Sequence, residues 1–199
     1  RLRSRGLGDV YKRQVYDELP NGWELVYMQN ITTCITCGVA STPKYVDEGR
    51  MFLSAKNVKP YKLITGDCKY VSEDDYEKYT RQNKPEINDI LLTRVGAGIG
   101  EATVIDKELD FAIYVSLTLI KPIHKYIDAR YLLHWINSPQ GVSKSINDTL
   151  GSGFSQGNLN VNQVRQFIIP IPPLEEQKRI VAKVDIIMNY LDRLEKEIS

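Results

Sequence analysis

The sequence predicts an α+β protein, with a mixed, β-rich globular domain over residues 15–173 followed by a long C-terminal coiled-coil helix over residues 174–199. Two patterns carry that prediction. Short apolar runs of strand length recur between clusters of Gly, Pro, Asn and Asp. Near the end of the chain, Ile180, Val184, Ile187, Leu191, Leu194 and Ile198 follow one another at spacings of 4, 3, 4, 3 and 4 residues, the seam of a heptad helix that pairs with another helix, with an ordinary surface helix packed on its own domain as the rival reading. The length of 199 residues and an apolar content of 42% suffice for one core, or a core plus an extended helix.

The first fourteen residues hold five bases and one acid and show no hydrophobic periodicity. They read as an extraneous tail, with a basic DNA-binding arm as the rival reading. Without those five bases and one acid the formal charge falls from +1 to −3. Overall charge therefore gives no support to nucleic-acid binding, which has to rest on local patterning.

Pro20-Asn21-Gly22-Trp23 is a turn that leads into an extended entry segment, Glu24 to Ile31. Arg50 to Ala55 suits a buried strand and leads into a basic, aromatic exit loop ending at Lys62. Ser72 and Asp75 have capping-box spacing, which predicts a short helix to about Thr80. Asn88-Asp89 turns the chain into a strand from Ile90 to Val95, interrupted by Gly96-Ala97-Gly98-Ile99-Gly100 and continued from Ala102 to Ile105. Phe111 to Lys121 is expected to be a single strand. Asp128 caps a helix from Ala129 to Asn137, and Ser138-Pro139 breaks it and offers a start for the next. Leu150 to Asn162 is expected to be a polar loop of either bland or binding character, and Phe167 to Pro173 a last strand. Ser199 arrives with no stop signal, so the helix is expected to continue in a longer native chain.

Several kinds of chemistry find little support. Cys34, Cys37 and Cys68 are an odd set of thiols, expected to be reduced. Cys34-Ile35-Thr36-Cys37 is half a zinc site without its second half, so no metal or other cofactor is expected. His124 and His134 anchor no triad. The glycine run lacks GxGxxG spacing and a following Lys-Ser/Thr pair. Asp89, Glu101 and Asp106 read as solvated strand ends. No catalytic residue is assigned. No apolar run is long enough to span a membrane and no signal sequence follows the basic start, which predicts a cytoplasmic protein.

Leu19-Pro20-Asn21-Gly22-Trp23 at the start of the domain and Pro170-Ile171-Pro172-Pro173-Leu174-Glu175-Glu176-Gln177-Lys178-Arg179-Ile180-Val181 at its end resemble the bracketing motifs of type I restriction-modification specificity subunits. Asn88 to Gly96 with Ile99-Gly100 is similar to that family's internal strand-and-glycine signature, and Ser152-Gly153 through Asn160-Val161 to its polar loop. The resemblance implies a non-catalytic target-recognition domain that reads double-stranded DNA, and a helix that spaces it and docks methyltransferase subunits; whether a restriction subunit also joins is left open. Candidate DNA contacts are Lys56, Asn57, Lys59, Lys62, Arg94, Ser155, Gln156 and Asn158, with Asn57 and Arg94 open to structural roles.

Members of that family carry two target domains and two helices, whereas this sequence shows one of each. It is therefore half of a truncated reading frame, which the unstopped ends favour, or a half-subunit that pairs with a second copy through antiparallel helices. A coiled-coil adaptor without DNA binding is the alternative class, and a hydrolytic enzyme a distant third.

Overall fold

The computed structural model describes residues 19–150 and 157–198. The opening tail, Ser155, Gln156 and the side chain of Ile198 lie outside that description.

The strands are β1 Glu24–Tyr27, β2 Thr32–Cys37, β3 Arg50–Leu53, β4 Val58–Lys59, β5 Lys62–Leu63, β6 Lys69–Val71, β7 Ile90–Thr93, β8 Ala102–Val104, β9 Phe111–Ile113, β10 Leu117–Pro122 and β11 Ile168–Ile171. The helices are α1 Glu73–Thr80, α2 Ala129–Asn137, α3 Pro139–Leu150, α4 Val161–Arg165 and α5 Leu174–Ile198.

An antiparallel sheet of order β2-β10-β7-β8 lies at the centre. Its two middle strands are apolar on both sides because both faces are covered. Ile90, Leu92 and Ile120 pack with Leu132, Leu133, Ile136 and Phe167, while Leu91, Leu117 and Leu119 pack with Leu53, Val58, Phe111 and Ile113. Continuous runs such as Ile90-Leu91-Leu92 are the mark of a strand buried on both faces. A second sheet of order β6-β3-β9 forms the next layer, and Phe52 and Val71 from it meet Tyr76 of α1.

The expected single strand from Phe111 to Lys121 is two strands in two sheets. β9 runs parallel to β3, the chain turns with Leu117 N–H donating to Tyr114 O at 3.0 Å, and β10 then enters the central sheet. Periodicity gives no sign of the switch, since both strands are buried and apolar. The entry segment also divides, into β1 and a 3₁₀ turn over Met28–Asn30. β2, which the sequence did not define, completes the sheet edge, and α3, which begins at the Ser138-Pro139 break, completes the helical layer.

Caps hold as their residue types require. Ser72 accepts Asp75 N–H at 3.2 Å, and Asp128 accepts the N–H groups of Arg130 and Tyr131 at 2.8 and 3.2 Å. Within the span expected to be a polar loop, Asn160 and Gln163 form a reciprocal capping box that starts α4. β1 and β11 pair antiparallel, which brings the two ends of the domain together. The two-stranded ribbon accommodates Pro170, which has no N–H to donate.

Candidate nucleic-acid interface

The segments expected to touch nucleic acid converge at one end of the central sheet. There the exit of β7 lies beside the entry of β10, because the two strands run antiparallel with Thr93 opposite Leu117. Arg94 N–H donates to Ser116 O at 3.0 Å, and Leu159 N–H donates to Arg94 O at 2.9 Å. Ala55 N–H, at the exit of β3, donates to Ser116 Oγ at 3.0 Å. Val95 bridges to Asn158. The exit of β3, the glycine segment and the end of the late loop are thus fastened together by hydrogen bonds to and between their backbones.

Two sequence candidates have structural positions here. Asn57 is 1% exposed. Its amide oxygen accepts Ser54 N–H at 3.0 Å, and its amide nitrogen donates to Ile64 O at 2.9 Å and Asp67 O at 3.0 Å. It locks the base of the β4–β5 hairpin, the structural one of the two roles open to it, and its burial leaves little of it for a direct contact. Arg94 is 7% exposed; its Nε donates to Leu159 O at 2.9 Å and its Nη1 to Val115 O at 3.0 Å. The guanidinium staples three chain segments through two of its N–H groups, which matches the structural role the sequence left open.

The exposed candidates are Lys56, Lys59, Lys62 and Asn158. Lys56 lies 3.3 Å from Asp67 and Lys59 3.3 Å from Glu101, exposed pairs that contribute little to stability. Gly96 has φ 96° with open space around it, while Gly100 has φ 92° and packs against Ser145 of α3. Only glycine takes this backbone readily, so the run is built as a turn that lies close to a helix.

An open cavity of about 700 Å³ lies between the hairpin, β8 and the start of α2, lined by Tyr61, Lys62, Thr103, Asp106, Lys107 and Arg130 among others. Sequence reasoning missed Lys107 and Arg130. One sits in a polar loop and the other in a helix, and no local signal joins them. A second, polar trough of about 370 Å³ runs along the edge strand β2, with Gln29, Thr33, Asn83 and Arg165 on it.

The helix α5 has two faces. Gln177 is fully buried, accepting Asp128 N–H at 2.8 Å and donating to Tyr126 O and Pro172 O at 3.0 and 2.9 Å. Asp185 pairs with Arg130 at 3.1 Å and lies 3.6 Å from His134 Nε2. Burial pulls the His134 imidazole below its ordinary value; Asp185 opposes the shift and Arg130 adds to it. Ile180 of the heptad stripe is half-buried against the domain core and Val184 is also half-buried. Farther along, Ile187 and Leu191 are 59% and 48% exposed, with Ile186 and Tyr190 beside them at 69% and 62%.

Among the described residues, no helix is long and apolar enough to cross a membrane, and no group of three or more His, Cys, Asp or Glu is placed to hold a metal ion. Cys34 Sγ lies 3.1 Å from Asn83 Oδ1. Burial pushes the Cys34 thiol up, against the pull of Lys121 and Arg165.

Residues 44–199 match the family model described as type I restriction modification DNA specificity domain. The chain is 24% identical over 184 residues to the EcoBI specificity subunit of Escherichia coli, covering 91% of this chain and 38% of that protein. It is 24% identical over 197 residues to a putative MjaX specificity subunit of Methanocaldococcus jannaschii, covering 95% and 45%. The crystal structure of the HsdS subunit from Thermoanaerobacter tengcongensis superposes with a TM-score of 0.67 at 20% identity, over 97% of this chain and 45% of that one. The S subunit of a type I system from M. genitalium gives 0.58 at 14% identity, over 96% and 44%. The chain spans less than half the length of each of these relatives.

Proposed function

We propose, for a chain that belongs to the family of type I restriction modification DNA specificity domains, that it recognises a short double-stranded DNA sequence and directs the methyltransferase and nuclease subunits of such a complex to it. The observation that carries this reading is the match to specificity subunits across most of the chain, joined to a sheet end where exposed Asn158 bridges to Val95 beside the glycine turn and exposed Lys59 reaches Glu101. Lysines there fix the register on phosphates, and amide and hydroxyl groups read base edges.

The domain acts by binding, without catalysis or a cofactor, in the cytoplasm. Its C-terminal helix supplies the second contact. The stripe from exposed Ile187 and Leu191 to half-buried Leu194 pairs antiparallel with an equivalent helix, either from the other half of a specificity subunit or from a second copy, which covers its heptad seam. The test is duplex binding by residues 15–199 at several salt concentrations. Affinity that falls linearly on a log–log plot, with no turnover of the DNA, supports the reading. Cleavage or modification by the isolated chain overturns it.

A further inference from the structure

Two non-glycine residues among those described adopt a left-handed backbone, Tyr61 at φ 64° and Asn88 at φ 68°. Both line the cavity of about 700 Å³. Asn takes this conformation readily, whereas a bulky aromatic does so only when its surroundings hold it there. Tyr61 is the second residue of the two-residue turn closing β4–β5, where Lys59 pairs with Lys62 and Pro60 comes first. A positive φ after proline is the type II pattern, which favours glycine at the second position.

Tyr61 stays in place because its N–H donates to Ala102 O at 3.0 Å and its ring lies 5.4 Å from that of His134. Its Oη is 3.4 Å from His134 Nδ1. Asn137 grips the same strand position, accepting Ala102 N–H at 2.9 Å and donating to Ala102 O at 3.0 Å. The outer backbone groups of edge strand β8 at Ala102 are thereby occupied, and the turn that positions Lys62 is fixed to the sheet and to α2.

The charges in the cavity are unbalanced. Lys62, Lys107 and Arg130 line it against one acid, Asp106. Arg130 shares its charge with Asp185. Lys62 and Lys107 have no ion pair among the described residues, unlike Lys56 and Lys59, which face Asp67 and Glu101. Thr103 and Asn88 add neutral polar groups. Two cations without an ion pair among the described residues, Lys62 at the foot of a fixed turn and Lys107 in the loop after β8, suit an anion from outside. The cleft is also too large for a lone inorganic ion, which leaves room for a strand.

We propose that this cleft seats a backbone phosphodiester of the bound duplex, with Lys62 and Lys107 as its counter-charges and Tyr61 as the positioning residue. The assignment rests on the DNA-binding reading above and adds Lys107 to the candidate contacts.

The test is lysine acetylation footprinting with a random-sequence duplex at low salt, followed by salt titration of K62Q/K107Q. Protection of Lys62 and Lys107 relative to Lys78 on α1 is expected. The double variant should bind every sequence roughly tenfold more weakly, with a salt slope smaller by about 0.9 for each phosphate it no longer neutralises. K62R/K107R should keep the slope, which separates charge from folding. Duplex binding that leaves Lys62 and Lys107 as reactive as Lys78 overturns the cleft while the DNA-recognition reading stands. No duplex binding at any salt overturns both.

Discussion

The indole N–H of Trp23 donates to Glu176 Oε1 at 3.2 Å across 153 positions of sequence. Trp23 closes the turn at the start of the domain and Glu176 lies in the first turn of α5, so the two motifs that resemble family brackets meet in space. β1 and β11 pair beside them. The helix is therefore fixed to both ends of its own domain before its exposed stripe begins. Trp23→Phe keeps an aromatic ring and removes the hydrogen bond, and should cost about 0.5–1.5 kcal/mol in denaturant unfolding.

Gln177 holds three backbone groups that no other described side chain serves. Gln177→Leu leaves Pro172 O buried without this partner and removes the partner of the part-buried Asp128 N–H and Tyr126 O. A loss of about 2–4 kcal/mol is expected, with faster amide exchange in the first turns of α2 and α5.

Arg94→Lys should destabilise the free domain by about 2 kcal/mol, because an ammonium cannot reproduce the directed pair of bonds to Leu159 O and Val115 O. The measurement is thermal unfolding without DNA. If Arg94 acted only as a DNA contact, free-domain stability would not change.

The His134 imidazole lies below its ordinary value of 6.5, first through burial. Neutral in the folded state, it takes up its proton more readily when unfolded. Its contribution is therefore constant above 6.5, and stability falls as pH drops from there toward the folded value. Tyr61, Asp185, Arg130 and Asp128 are the groups around it. His134→Gln should flatten the stability profile between about pH 5 and 6.5, a window above most carboxylate titrations.

Ile187→Asp with Leu191→Asp should abolish helix-mediated assembly and leave the unfolding of the domain unchanged, since both side chains are exposed in the single chain. Analytical ultracentrifugation and calorimetry measure the two effects separately.

The legible parts of the fold are those fixed by local chemistry. Ser72 and Asp128 cap helices because short polar side chains reach nearby N–H groups, and the 4-3 spacing on α5 gives its stripe. What lay beyond reading was tertiary. Phe111 to Lys121 hides a change of sheet because both halves are buried. Asn57 and Arg94 carry the side chains of DNA readers, yet the fold encloses them. Lys107 and Arg130 share a cleft with Lys62 only through the packing of β8 and α2 around the hairpin. Ile180 belongs to the heptad pattern but packs on its own domain.

DNA recognition is tested most directly by selecting bound sequences from a random duplex pool with residues 15–199, alone and with a methyltransferase partner subunit, at near-physiological salt. Enrichment of one short half-site is expected, with the same site selected by K62Q/K107Q at lower affinity. Assembly through the helix with no sequence enriched in either format would contradict DNA recognition and favour the coiled-coil adaptor.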